Sequence, residues 1–164
     1  MSLDVSLIPM TPELYHAYFR EYENAPELYA DPRDFVPYVY EVQWVERYVQ
    51  KQIRLKRKCF GILCNGKIVG ELLIKNIVEG ESATLSLSLQ KAEYKDRGIG
   101  TRAEALAIGY VFEELDIPLL YADTILTNTR SQHVLEKLGF HLLKEEGDFR
   151  YYAIERQLPS TRSS

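Results

Sequence analysis

The sequence predicts an α/β (α+β) fold: one mixed sheet with helices on both faces, in the order βααβββαβαββ. Three observations carry that expectation. Asn65-Gly66 separates two strand-like runs, Thr84 to Leu89 alternates strictly between polar and apolar residues, and helical spacing takes over after Gly98. At 164 residues the chain has room for one domain with a real core and is short for two. The expected domain is 1–158, with 159–164 a frayed tail.

Taken in order, Val5 to Ile8 reads as a strand closed by Pro9, and Glu13 to about Tyr22 as a helix with Pro12 in its first turn. Glu23 to Tyr40 is rich in proline and aromatic residues and reads as loop. Val42, Val45, Val49 and Ile53 recur at helical spacing, so Glu41 to Arg57 is expected to be an amphipathic helix. Phe60 to Cys64 and Lys67 to Val78 flank Asn65-Gly66, the pair that a type I′ hairpin turn needs. Glu79-Gly80-Glu81 turns the chain again into Thr84 to Leu89. Ala103, Leu106, Ala107, Tyr110 and Val111 then mark a buried stripe on a helix from Thr101 to Leu115. Leu119 to Ile125 is a strand, Asn128 to Leu138 a helix stopped by Gly139, and Phe140 to Lys144 with Phe149 to Gln157 a closing strand pair.

Composition narrows the function. Twenty Lys and Arg against 24 Asp and Glu give a net charge of -4, which argues against a nucleic-acid binder and suits a cationic partner. No apolar run is long enough for a membrane span, no leader pattern opens the chain, and the cytoplasm is the expected compartment. Cys59 and Cys64 are five apart in one expected strand and point to opposite faces, which excludes a disulfide between them. His16, His133 and His141 are scattered, and no metal is expected.

The informative stretch is Tyr94-Lys95-Asp96-Arg97-Gly98-Ile99-Gly100-Thr101, between an alternating strand and an amphipathic helix. Two glycines let backbone N–H groups turn inward, and the helix adds its positive end, so a pyrophosphate fits. Lys95, Arg97 and Arg102 would surround it with charge. The competing reading is that Thr101 caps the helix with Glu104 completing a capping box. Gly98, Gly100 and Ala103 also satisfy a dinucleotide fingerprint, but Gln90 to Arg97 separates strand from glycine and hairpins precede it, which disfavours a Rossmann unit.

These residues resemble the acetyl-CoA loop of the GNAT superfamily of N-acetyltransferases, whose core pattern is Arg/Gln-x-x-Gly-x-Gly/Ala. The run from Asn128 through Ser131 to Glu136-Lys137-Leu138-Gly139-Phe140 is similar to that family's second signature. The pattern is most similar to the branch resembling ribosomal-protein N-terminal acetyltransferases. The resemblance implies the GNAT acyl-CoA N-acyltransferase-like fold, acetyl-CoA as cosubstrate, a primary amine as acceptor and a homodimer. It implies that backbone N–H groups of Lys95, Asp96, Arg97, Gly98, Ile99 and Gly100 hold the pyrophosphate, with Thr101 opening the helix behind them. Leu87, Ser88 and Leu89 would run along the pantetheine through main-chain bonds, a backbone N–H near Leu89 would hold the oxyanion, and Asn128 would meet the cofactor near its sulfur end. For Asn128 the alternative is an ordinary helix cap.

The chain also departs from the family pattern. Lys95 replaces Arg or Gln, and Asp96 sets a carboxylate beside the phosphates unless it points outward, caps the loop or pairs with Arg97. Leu135 stands where many members carry a tyrosine acid, which leaves Ser131 as a substitute candidate. The strand that often supplies a glutamate base has only Thr84, Ser86 and Ser88, so Glu71 and Asp123 are the candidate bases; each also reads as a solvated strand residue. Glu21, Glu23, Tyr29, Asp31, Asp34, Tyr38, Tyr40 and Glu41 make the acceptor region aromatic and acidic. A peptide α-amine, an aminoglycoside-like amine and a polyamine all fit that description. Two other classes stay open: a non-catalytic acyl-CoA-binding regulator, and an interaction module with a vestigial loop.

Overall fold

Turn chemistry and helix caps lay out the first half of the computed structural model, which describes residues 3–26 and 31–157. Strand β1 (Val5–Pro9) pairs antiparallel with β2 (Lys58–Cys64), and helices α1 (Pro12–Arg20) and α2 (Val42–Arg54) lie in the connection. Thr11 caps α1, its Oγ1 accepting from the Leu14 N–H at 3.2 Å, with Pro12 opening the helix. Asn65 (φ 52°) and Gly66 (φ 84°) supply the two positive φ values of a type I′ turn into β3 (Lys67–Val78). β4 (Ser82–Leu89) returns antiparallel to β3.

Helix α3 (Ile99–Gly109) continues into a π-turn over Tyr110–Glu114 and leads to β5 (Leu119–Ile125), which runs parallel to β4. Helix α4 (Thr129–Lys137) precedes β6 (His141–Glu146) and β7 (Phe149–Glu155). β7 inserts between β5 and β6, so the seven-stranded sheet reads β1-β2-β3-β4-β5-β7-β6. The expected elements appear in the expected order.

Each face of the sheet has its own apolar cluster. Leu72, Ile74, Leu85, Leu120 and Tyr152 meet Ala103 and Ala107 of α3, Val111 of the π-turn and Leu135 of α4. On the opposite face Val45 and Val49 of α2 pack with Tyr15, Tyr18 and Phe19 of α1. Cys59 packs on the α1–α2 side and Cys64 on the α3 side, both free, as strand alternation requires.

Three local expectations are corrected. Val42 (48% exposed) and Ile53 (63%) stand at the two ends of α2, beyond the apolar cover, while Gln52 is buried. Leu106 is 45% exposed, because the buried side of α3 follows Ile99, Ala103, Glu104 and Ala107 and continues to Val111 in the π-turn. Thr101 is no cap: the helix starts at Ile99 behind Gly98, whose φ of 81° suits glycine, and Glu104 is buried where a capping box would leave it at the surface. The expected tail, 159–164, lies outside the described residues.

Candidate active site

The site begins where two strands part. β4 and β5 pair from Ser82↔Leu119 to Leu85↔Ala122 and no further. From Ser86 to Leu89, β4 keeps β3 on one side, and its other edge has no strand partner among the described residues. An open edge of this kind offers main-chain donors and acceptors to an extended ligand. Leu87 and Leu89 send their side chains into the α3-side core, while Ser88 faces the other way, in register with Glu71. Gly70 makes the close approach of β3 possible: a Cβ there would sit 2.8 Å from the Ser88 carbonyl oxygen.

The open edge runs on into the glycine loop. A 3-10 turn over Ala92–Tyr94 ends with the Lys95 N–H donating to the Ala92 carbonyl at 3.1 Å, so that donor is not free for phosphate. Asp96 (φ 63°) and Gly98 (φ 81°) then turn the chain into α3. The first helical bond, from the Arg102 N–H to the Gly98 carbonyl at 3.2 Å, leaves the N–H groups of Ile99, Gly100 and Thr101 as the free donors of the first turn. Ile99 anchors this turn at 2% exposure. An added Cβ on Gly100 would meet nothing within 4 Å, so the space over the helix end is open. The charges are arranged differently from the expectation. Asp96 pairs with Arg130 at the start of α4, not with Arg97, and Arg102 donates to the Leu3 carbonyl. Lys95 and Arg97 remain beside the loop.

Across the wedge, Asn128 caps α4 with its Oδ1 accepting from the Ser131 N–H at 3.1 Å. Gln132 holds the entry to α4 by donating to the carbonyls of Ile125 (3.2 Å) and Leu126 (3.0 Å). Leu135 is buried in the core at 2% exposure and carries no acidic group.

On the α1–α2 face an open cleft of about 610 Å³ descends to Glu71 and Ser88. Glu71 is buried at 7% exposure, and the Tyr48 hydroxyl reaches both carboxylate oxygens at 2.8 Å. Burial lifts the Glu71 carboxyl above the usual carboxylate range, against the pull of neighbouring tyrosine hydroxyls and the Arg57 charge. Asp123 is not brought here; it is exposed on β5, opposite Tyr151. Of the expected acceptor region, Tyr38 and Glu41 line the cleft. Asp31 instead pairs with Arg33, and Tyr40 bonds His16 Nδ1 at 2.7 Å. Tyr29 lies outside the described residues. Sequence reasoning missed Phe19, Trp44 and Tyr48. The signal was present on α2, where Glu41, Trp44 and Tyr48 share a face beside the valine stripe.

An extended strand edge leads into a helix N-terminus that can take a phosphate, with a buried carboxylate on the neighbouring strand. Residues 4–141 match the family model described as acetyltransferase (GNAT) domain, and the chain belongs to that family. It is 32% identical over 103 residues to a Bacillus subtilis (strain 168) protein named probable N-acetyltransferase YjcK, covering 58% of this chain and 56% of that relative. The match thus spans little more than half the relative's length. Among solved structures, a spermidine N-acetyltransferase from Vibrio cholerae in complex with CoA and spermine superposes with a TM-score of 0.76 at 16% identity, covering 92% of this chain and 95% of that one. RimL, a ribosomal L7/L12 alpha-N-protein acetyltransferase in complex with coenzyme A, gives 0.74 at 17% identity over 92% and 93%. At these identities the likeness is one of fold. Among the described residues no cluster of His, Cys, Asp or Glu could hold a metal ion, and no helix is long and apolar enough to cross a membrane.

Proposed function

We propose that the chain transfers an acetyl group from acetyl-CoA to a primary amine by direct attack in a ternary complex. The observation that carries this is the double exposure of β4. Its open backbone edge, Leu87 to Leu89, leads to the phosphate-competent turn, while Ser88 on the same strand faces the cleft that holds Glu71. Acetyl donor and amine can therefore reach one strand together, the donor along its open edge and the amine from the cleft face.

The pyrophosphate rests on the N–H groups of the Gly98–Thr101 turn, with Lys95 and Arg97 alongside. The pantetheine pairs with Leu87 and Leu89 through their backbone, and the amide nitrogen of Asn128 serves the sulfur end. Bound acetyl-CoA supplies an activated thioester carbonyl. Glu71, helped by the Tyr48 hydroxyl, takes the proton that the ammonium must lose, and burial suits it to that task by raising its proton affinity. The amine nitrogen then bonds the carbonyl carbon as the carbon–sulfur bond breaks, with the oxyanion held near the Leu89 N–H. The departing thiolate takes the second proton that the amine nitrogen sheds, relayed through water at Ser131, which leaves a neutral amide and the CoA thiol. Asp123 has no part in this reading. The resemblance to the ribosomal-protein N-terminal branch keeps a peptide α-amine among the acceptors, and the V. cholerae enzyme's name keeps the polyamines there too.

The test is acetyl-CoA binding by calorimetry in the native chain and in Gly100→Trp, whose ring would fill the phosphate turn. Micromolar binding, weakened at least thirtyfold in the variant, supports the site. A folded native chain that binds no acetyl-CoA overturns it. Binding without CoA release across an amine panel would make the chain an acyl-CoA-binding module.

A further inference from the structure

We infer that the acceptor carries one ammonium on an aromatic or apolar body, and that it docks against Trp44; this rests on the acetyl-transfer reading above. The cleft wall is built from the rings of Phe19, Tyr22, Tyr38, Trp44 and Tyr48, set at centroid distances of 5.0 to 6.3 Å in edge and stacked contacts. Trp44 stacks on Tyr48 at 5.3 Å and 19°, meets Phe19 edge-on at 5.0 Å, and keeps 40% of its surface exposed. Such faces attract both an apolar body and a single cation.

The charge count separates acceptor classes. Among the described lining residues no Lys, Arg or His appears, and the carboxylates are two, Glu41 and Glu71. Glu71 lies at the buried base with the Tyr48 hydroxyl on its oxygens, the position of the proton acceptor. Among the described lining residues that leaves Glu41, exposed at the start of α2 and in no ion pair among the described residues, as the ionic contact for a substrate. A polyamine or aminoglycoside would bring several cations to the one exposed carboxylate among the described lining residues. A monoamine with a ring or alkyl body leaves no charge uncompensated. The wall is better matched to the second.

Trp44 is the chain's only tryptophan, so its emission reports on the cleft directly. With acetyl-CoA replaced by CoA to prevent turnover, phenethylamine and spermidine are titrated while Trp44 fluorescence is followed. Saturable binding of phenethylamine at least tenfold tighter than spermidine supports the assignment. Equal or tighter binding of spermidine, or no response to either amine, overturns it. Glu41→Gln is expected to weaken phenethylamine threefold to tenfold while leaving the dissociation constant for CoA unchanged; an unchanged affinity for both amines would overturn the role of Glu41. Turnover with acetyl-CoA is read separately as thiol release. Acetylation that favours spermidine overturns the acceptor class and leaves acetyl transfer standing, whereas CoA binding without thiol release from any amine removes the transfer reading itself.

Discussion

Glu104 is the buried carboxylate that the proposed reaction leaves unused, and replacing it by glutamine should change how stability depends on pH. It lies on α3 at 8% exposure, and its Oε2 has no hydrogen-bond partner among the described residues. Burial pushes its pKa from 4.5 up to about 7. The folded value is above the unfolded one, so the native state holds the proton more tightly. Stability contributed by the protonated form is fully present below pH 4.5, falls as pH rises, and is gone above pH 7. Each tenfold difference in proton affinity is worth about 1.4 kcal/mol, so the ionised group costs about 3 kcal/mol at alkaline pH. About 2.5 kcal/mol of that develops between pH 5 and pH 8. For a chain of this length the difference corresponds to roughly 5–10 °C in Tm. Thermal unfolding of the native chain and of Glu104→Gln at pH 5 and pH 8 gives a double difference in which the other titrating groups cancel. The variant should lose less stability on going to pH 8, by that amount. Equal losses in the two proteins, within about 2 °C, would refute the argument that Glu104 is desolvated in the native state.

Two further expectations follow from the cleft and the strand that backs it. Glu71→Gln should lower kcat by about 10²–10⁴ with acetyl-CoA affinity intact; in the native chain kcat/KM should rise with pH as Glu71 ionises, above the usual carboxylate range, and a pH–rate profile of the variant should lack that limb. Gly70→Ala would set a Cβ 2.8 Å from the Ser88 carbonyl oxygen and 2.9 Å from Ile62 Cδ1. Overpacking against a backbone atom should cost about 1–3 kcal/mol, read from the urea midpoint, and an unchanged midpoint would show that β3 and β4 can separate without penalty.

Much of this was written locally in the chain. Asn65-Gly66 specified its hairpin because few other pairs take two positive φ values, and Gly98 specified its turn for the same reason. Alternation from Thr84 to Leu89 told which side of β4 meets the core. The element order, and through it the placement of the glycine loop between strand and helix, followed from such local signals.

What the linear pattern could not show depends on residues far apart meeting. Asp96 had Arg97 next to it in sequence, yet it pairs with Arg130, because folding brings α4 beside the loop. Glu71 and Asp123 were equal candidates until the sheet put one beneath Tyr48 and left the other in solvent. Periodicity alone made Val42, Ile53 and Leu106 look buried, whereas the extent of the covering layer decided otherwise. The parting of β4 from β5 after Leu85 has no signature in either strand, since the end of a parallel pairing is a relation between two segments. Sequence determined the elements and the backbone turn that can take a phosphate; the tertiary structure decided which carboxylate is desolvated and which aromatic rings face the acceptor, because burial and proximity are properties of the packed chain.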